Sequence, residues 1–253
     1  TVKPLIDFWG FGASQVANND AVDSSLVDSL LRFVGIKYVK LFDKKNNEIF
    51  DYMAGKILDD ASNYQLIKDS SVQLDFNAIA QGYTVDVLCE MLEDNGVYNY
   101  LVEVGGEVRV KGKNENGHFW KVGIDKPEEK SNARRSLQAV LSLEEKSIAT
   151  SGNYRKFRVK NGIKYSHTIS AKTGYPVTHQ ILSATVIADN CMTADAFATA
   201  FMVMGHKNAI AYLQEQTTEI QGYIIYSDDK GNLLTYASPD IEDNIDEKIQ
   251  TST

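Results

Sequence analysis

The segment Thr193-Ala194-Asp195-Ala196-Phe197-Ala198-Thr199-Ala200 sets a carboxylate and a hydroxyl four residues apart among side chains that are otherwise small or apolar. In a helix, Asp195 and Thr199 share one face about one turn apart, and the alanines let other backbone approach. Two hard oxygen donors at that spacing suit Mg²⁺, which takes few protein ligands and completes its shell with water and substrate phosphate. An N-cap Asp followed by a buried helical Thr bonded back to a carbonyl has the same spacing. From these residues alone both descriptions stand.

The elements that must position such a pair follow from periodicity. Leu26, Leu30, Leu31 and Val34 predict a helix over 24–34, with Asp20 or Ser24 as its cap. Short alternating runs predict strands at 37–42 and 65–67, and 72–74 reads as a strand ending in Asp75. A helix is expected over 78–94, stopped by Asn95-Gly96. Residues 101–104 and 107–111 read as strands joined by Gly105-Gly106. Alternation recurs at Trp120, Val122 and Ile124 before a turn at Asp125-Lys126-Pro127, and again at Leu137, Ala139, Leu141 and Leu143. A strand over 183–188 feeds a helix over 192–204 that Gly205 ends, and a second helix is expected over 207–214. Strands at 221–226 and 233–237 flank Asp228-Asp229-Lys230-Gly231-Asn232, a hairpin turn. No internal repeat or low-complexity linker appears, so the expectation is one α+β domain over 1–240, with a loose acidic tail over 241–253. The charged run 128–135 lacks an apolar period and reads as a solvated loop.

Composition narrows the function classes. The 253 residues are 43% hydrophobic and 24% charged, as in an ordinary globular protein. A net charge of −8 argues against a nucleic-acid partner, which needs a basic surface. It leaves a phosphate-bearing ligand possible, because a bound cation and backbone N–H groups can supply the local positive field. Cys89 and Cys191 match no zinc spacing. Cys89 shares a helical face with Val85, Leu88 and Leu92, as a buried thiol would, and a disulfide between the two cysteines stays open. No membrane-length apolar run and no signal peptide are present in these residues.

Five further segments precede the Asp195 motif in order. They are Asp75-Phe76-Asn77-Ala78-Ile79-Ala80-Gln81-Gly82-Tyr83-Thr84-Val85-Asp86, Val102-Glu103-Val104-Gly105-Gly106-Glu107-Val108-Arg109 and Ala149-Thr150-Ser151-Gly152-Asn153-Tyr154, then Tyr165-Ser166-His167-Thr168-Ile169 and Thr173-Gly174-Tyr175-Pro176. In this order and spacing the chain resembles the ApbE family from Thr1 to about Gly205. The resemblance implies a mostly antiparallel α+β domain with flanking helices and a Mg²⁺-dependent transfer of FMN from FAD to a Thr or Ser hydroxyl of another protein. It implies metal ligands at Asp195, Thr199 and the Ala78 carbonyl, and flavin contacts at Asp75, Gln81 and the backbone near Ile169. In that chemistry the acceptor hydroxyl attacks the flavin-side phosphorus and AMP leaves. His167 is the best base in this chain, with a structural histidine bonded to backbone as the competing description.

Two departures from the family pattern bear on this. Gln81 stands where many members have Lys, so the contact there can hydrogen-bond but supplies no charge. Ser170-Ala171-Lys172 stands where an acid and a proline are usual, so no ring fixes φ in that loop. Gly105 and Gly106 suit either close approach to a ligand or a hairpin turn. Tyr154 and Tyr175 suit either a ring stack or a core or rim position. Glu107, His118, His179 and His206 receive no role.

The resemblance also implies acceptors among flavoprotein subunits of membrane redox complexes. It implies an exported, periplasmic or membrane-facing lipoprotein whose signal, lipid anchor and N-terminal flavin-contacting segment lie before Thr1. Two other functions are compatible with the same residues. One is an FAD pyrophosphatase that releases FMN and AMP, and the other a non-catalytic FAD-binding or storage protein, which Gln81 would suit.

Overall fold

The computed structural model describes residues 2–12, 24–48, 63–127, 136–153, 157–160, 163–215, 220–242 and 245. The chain divides into two compact units, Thr1–Asp75 with Ile169–Pro176, and Phe76–Thr168 with Val177–Thr253.

The smaller unit holds helices α1 (Lys3–Phe8) and α2 (Ser24–Leu31) and a two-stranded antiparallel ribbon of β1 (Val39–Asp43) and β2 (Tyr64–Lys68). α1 begins on Lys3-Pro4, where a missing N–H costs nothing. The Trp9 indole N–H donates to the Gly174 carbonyl at 2.8 Å, and the Trp9 ring packs on Tyr175 with centroids 5.6 Å apart. Tyr175 is thus half-buried against Trp9 within this unit. The loop around Ser170 is closed without a proline. Ser170 N–H donates to the Tyr175 carbonyl, Gly174 N–H donates to the Ser170 carbonyl, and the Ser170 hydroxyl accepts from Lys172 and Thr173. The strand expected to end at Asp75 is absent. Pairing ends at Lys68 opposite Val39, and an Asp69 turn that accepts from Ser71 and Val72 carries the chain off the ribbon into a stretch outside any strand.

The larger unit is built on a six-stranded sheet ordered β12-β11-β10-β7-β4-β3, antiparallel throughout. Its strands are β3 (Tyr100–Val104), β4 (Glu107–Lys111), β7 (Ser147–Gly152), β10 (Ile181–Ala188), β11 (Ile220–Ser227) and β12 (Leu233–Ala237). Helices α3 (Ala80–Asp94), α4 (Cys191–Met204), α5 (His206–Glu215) and α6 (Pro239–Glu242) and the ribbons β5 (Trp120–Asp125) with β6 (Leu137–Leu143) and β8 (Phe157–Lys160) with β9 (Ile163–Ser166) complete it.

Alternation along the strands sorts the core into two layers. Ala149, Ala184, Val186, Ala188 and Ile224 face α4 and α5, meeting Ala194, Ala198, Phe201, Met202 and Leu213. Ile148, Ile187, Tyr223 and Ile225 face the β5–β6 ribbon and Ile241 of α6. Phe201 and Met202 are fully buried, and such burial stabilises by roughly 1.5–3 kcal/mol per side chain. α4 buries Cys191, Ala194, Asp195, Ala198, Phe201 and Met202, a stripe of helical spacing with one carboxylate in it. α3 does likewise with Gly82, Val85, Asp86 and Cys89.

Most expected elements stand where periodicity puts them, with ends shifted by a residue or two. Both cysteines are buried free thiols. Strand β7, the β8–β9 hairpin and α1 lacked a clear period. Tyr154, the run 128–135 and the chain beyond Ile245 lie outside the described residues. No described helix is long and apolar enough to cross a membrane.

Candidate functional site

The N-terminal halves of α3 and α4 cross at Gly82. A Cβ there would collide with the Cys191 carbonyl and come within 2.8 Å of Met192 Cα, so only glycine lets the two backbones meet. At this crossing Gly82 N–H donates to Asp195 Oδ2 at 3.1 Å. That N–H would otherwise close the first turn of α3 on the Ala78 carbonyl. No described residue donates to the Ala78 oxygen instead.

The N-cap of α4 is Asn190, whose side chain accepts from Thr193 N–H at 2.8 Å. Asp195 is thus free of capping. It lies in the second turn, 4% exposed, and its Oδ1 takes no hydrogen bond from a described residue. Burial pushes the Asp195 carboxyl above its ordinary value, and the Gly82 N–H offsets this only in part. One turn later Thr199 does not bond back to its own helix; its hydroxyl pairs with the Ser151 hydroxyl of β7 at 3.2 Å. Ser151 faces α4 because it shares the strand parity of Ala149.

These donors fit a hard cation. A buried carboxylate, a hydroxyl one turn along the same helix and an undonated carbonyl just before the facing helix are oxygen donors of the kind such a cation takes. Among the described residues no cluster of three or more His, Cys, Asp or Glu offers a rival metal site.

Gln81 is exposed and reaches the β3–β4 turn, where a Cβ on Gly105 would strike its amide nitrogen. Gly105 has φ 68° and Gly106 φ 112°, so both glycines are required by the turn itself. Asp75 and Ile169 belong to the smaller unit. Asp75 is half-buried and lies outside any helix or strand, and Ile169 is buried and bridges Pro176.

His167 follows β9 and is half-buried. Its neighbours are clamped. Asn153 Oδ1 accepts from the Ser166 hydroxyl at 2.7 Å and from the Thr168 hydroxyl at 2.9 Å, while Thr168 N–H donates to Ser166 Oγ at 3.0 Å. Asn153 N–H in turn donates to the Leu182 carbonyl of β10. The backbone carrying His167 is therefore tied to the main sheet.

Ser151, Asn153, Gly82 and Asp86 were quoted in the motifs above but received no role there. The signal for Asp86 was present: an acid on the apolar stripe of α3, between Val85 and Cys89.

The fold and site define a class: an antiparallel α+β protein with a buried carboxylate bonded to backbone across the crossing of two helix starts. The ApbE family model matches residues 1–224, and the chain belongs to that family. It is 34% identical over 239 residues to an FAD:protein FMN transferase of Vibrio cholerae, covering 94% of this chain and 64% of that protein. It is 33% identical over 231 residues to the FAD:protein FMN transferase of Haemophilus influenzae, covering 91% and 61%. The chain thus spans less than two thirds of the length of these relatives. Among solved structures it is similar to the flavin transferase ApbE from Vibrio cholerae, with a TM-score of 0.74 and 32% identity over 96% of this chain and 69% of that one.

Gly82→Ala is expected to destabilise the protein by about 1–3 kcal/mol, because α3 and α4 must part to admit the methyl. Thermal unfolding checks this, and an unchanged Tm would mean that the crossing is loose.

Proposed function

We propose that the chain is the FMN-transferring part of a Mg²⁺-dependent FAD:protein FMN transferase. The observation that carries this reading is the buried Asp195 carboxylate at the α3–α4 crossing, in a chain of the ApbE family. Asp195 Oδ1, the Thr199 hydroxyl and the Ala78 carbonyl are the groups that would hold the cation. When bound, Mg²⁺ neutralises charge developing on the FAD pyrophosphate oxygens.

The hydroxyl oxygen of an acceptor Thr or Ser attacks the flavin-side phosphorus, and the bridging P–O bond breaks with its electrons leaving on AMP. The hydroxyl proton passes to the His167 imidazole. Asn153 holds the His167 backbone for this role, and Ser151 orients the Thr199 hydroxyl. Asp75, Gln81 and the Ile169 backbone contribute flavin contacts. On this reading the acceptors are flavoprotein subunits of membrane redox complexes, and the enzyme works as an exported lipoprotein.

The test is incubation with FAD, Mg²⁺ and a Thr-bearing acceptor domain, followed by in-gel flavin fluorescence and nucleotide analysis. Labelled acceptor with equimolar AMP is expected. Free FMN without labelling would make the protein a pyrophosphatase, and intact bound FAD a storage protein.

A further inference from the structure

Asp86 lies one turn beyond Gly82 on the same face of α3, and it repeats the contact between the helices with donor and acceptor exchanged. Gly82 N–H of α3 donates to the Asp195 carboxylate of α4 at 3.1 Å. The Asp86 carboxylate of α3 accepts from the first two N–H groups of α4, Cys191 to Oδ1 and Met192 to Oδ2, both at 2.8 Å. Cys191 and Asp195 are themselves one turn apart on α4. The two helices are thus joined by a two-rung clasp, each rung a carboxylate against backbone N–H.

A third contact anchors the clasp to the sheet. Arg109 Nη1 of β4 donates to Asp86 Oδ1 at 2.9 Å, giving the buried carboxylate a cation as well as two amides. Asp86 is 8% exposed, so an isolated charge there would be costly. Asn190 caps α4 through Thr193 N–H, while the two N–H groups before it are taken by a carboxylate of another helix. What Asp86 adds is the register between α3 and α4. Without it the crossing can slide, and Gly82 N–H loses its line to Asp195 Oδ2.

We infer that Asp86 is a positioning residue that locks the Asp195 carboxylate in the orientation needed to ligate a cation. This rests on the reading of Asp195 as a metal ligand. Outer-sphere partners of this kind are worth 10–100-fold in metal affinity.

The test uses the whole chain without FAD, with Mn²⁺ as the probe because it shares the oxygen-rich octahedral preference of Mg²⁺. Mn²⁺ affinity is measured by calorimetric titration, and protection of the Gly82 amide by hydrogen exchange, in wild type, Asp86→Asn, Arg109→Gln, Asn190→Ala and Asp195→Asn. Asp86→Asn keeps the shape but turns an amide NH₂ toward a donor. It should weaken Mn²⁺ binding roughly 10–100-fold and deprotect the Gly82 amide. Arg109→Gln should do the same more mildly, and serves if Asp86→Asn does not fold.

Asn190→Ala loses the other cap of the same helix. It should lower Tm while leaving Mn²⁺ affinity near wild type. If Asn190→Ala weakens Mn²⁺ binding as much as Asp86→Asn, or if Asp86→Asn lowers only Tm, Asp86 is a cap and the inference falls. Binding that is lost in Asp195→Asn but kept in Asp86→Asn would overturn the inference alone. Wild type that binds no Mn²⁺, or Asp195→Asn that binds as wild type does, would overturn the metal reading and the inference with it.

Discussion

Asp195→Asn should abolish Mg²⁺-dependent FMN transfer while making the metal-free protein more stable. The two effects have one cause. Asp195 carries its charge in a place where burial disfavours it, and one backbone N–H compensates only partly. Asn keeps the oxygen that accepts from Gly82 and removes the charge, so the cost of desolvating an anion disappears. The sign with pH follows from the raised carboxyl. At low pH both folded and unfolded wild type are protonated there, and the two proteins should melt alike. As pH rises past the ordinary Asp value the unfolded chain ionises first, and wild type loses stability until the folded carboxyl has ionised too. The Tm advantage of Asp195→Asn should therefore be absent near pH 3, grow above it and level off once the folded carboxyl has ionised.

Cation binding should reverse the order. Mg²⁺ at a hundred times its Kd stabilises wild type by about 2.7 kcal/mol, a Tm rise of roughly 5–10 °C at this size. The variant, lacking the anionic ligand, should show almost none. Transfer should fall by roughly 10³-fold or more, since several kcal/mol of transition-state charge stabilisation are lost. Thermal scans across pH with and without Mg²⁺, beside the transfer assay, decide it. A variant with wild-type turnover, or a Mg²⁺-induced Tm rise equal to that of wild type, would remove Asp195 from the metal site.

The α4 segment was legible because its chemistry is local. Asp195 and Thr199 lie on one helix, so sequence spacing alone puts them on one face. Whether that face met solvent, a cap or a second donor depended on what crossed it, and spacing carries no such information. Asn190 took the cap, Gly82 came from a segment more than a hundred residues earlier, and Ser151 came from a strand. The strand was missed because Ser147, Ile148 and Ala149 are all buried, so its first half shows no polar alternation, and the rest is small and polar. The run leading to Asp75 looked like a strand for the opposite reason. Its apolar residues alternate, but the chain has already turned away from its partner at Asp69. Asp86 stayed silent for a third reason. A lone acid inside a helix is ordinarily read as solvent-facing, and only the burial of its neighbours on the stripe marks it.

His167→Gln should lower FMN transfer by roughly 10²–10⁴-fold, the usual worth of a positioned base, and leave FAD binding nearly unchanged. Glutamine has similar reach and can hydrogen-bond, but it cannot accept the proton of the attacking hydroxyl. The surroundings of His167 favour a base over a packing residue. Ser166 and Thr168 both spend their hydroxyls on Asn153, which leaves His167 as the residue of this turn able to take a proton. Asn153 N–H donates in turn to the Leu182 carbonyl, so the turn is tied to the sheet through Asn153. A His167 side chain that only supported the fold would on replacement lower Tm rather than the single-turnover rate. Two measurements separate the cases: FAD affinity by fluorescence titration and single-turnover transfer at saturating FAD and acceptor. Lost rate with FAD affinity retained supports proton transfer. Rate and affinity falling together would make His167 a flavin contact, and a rate near wild type would pass the proton to another acceptor.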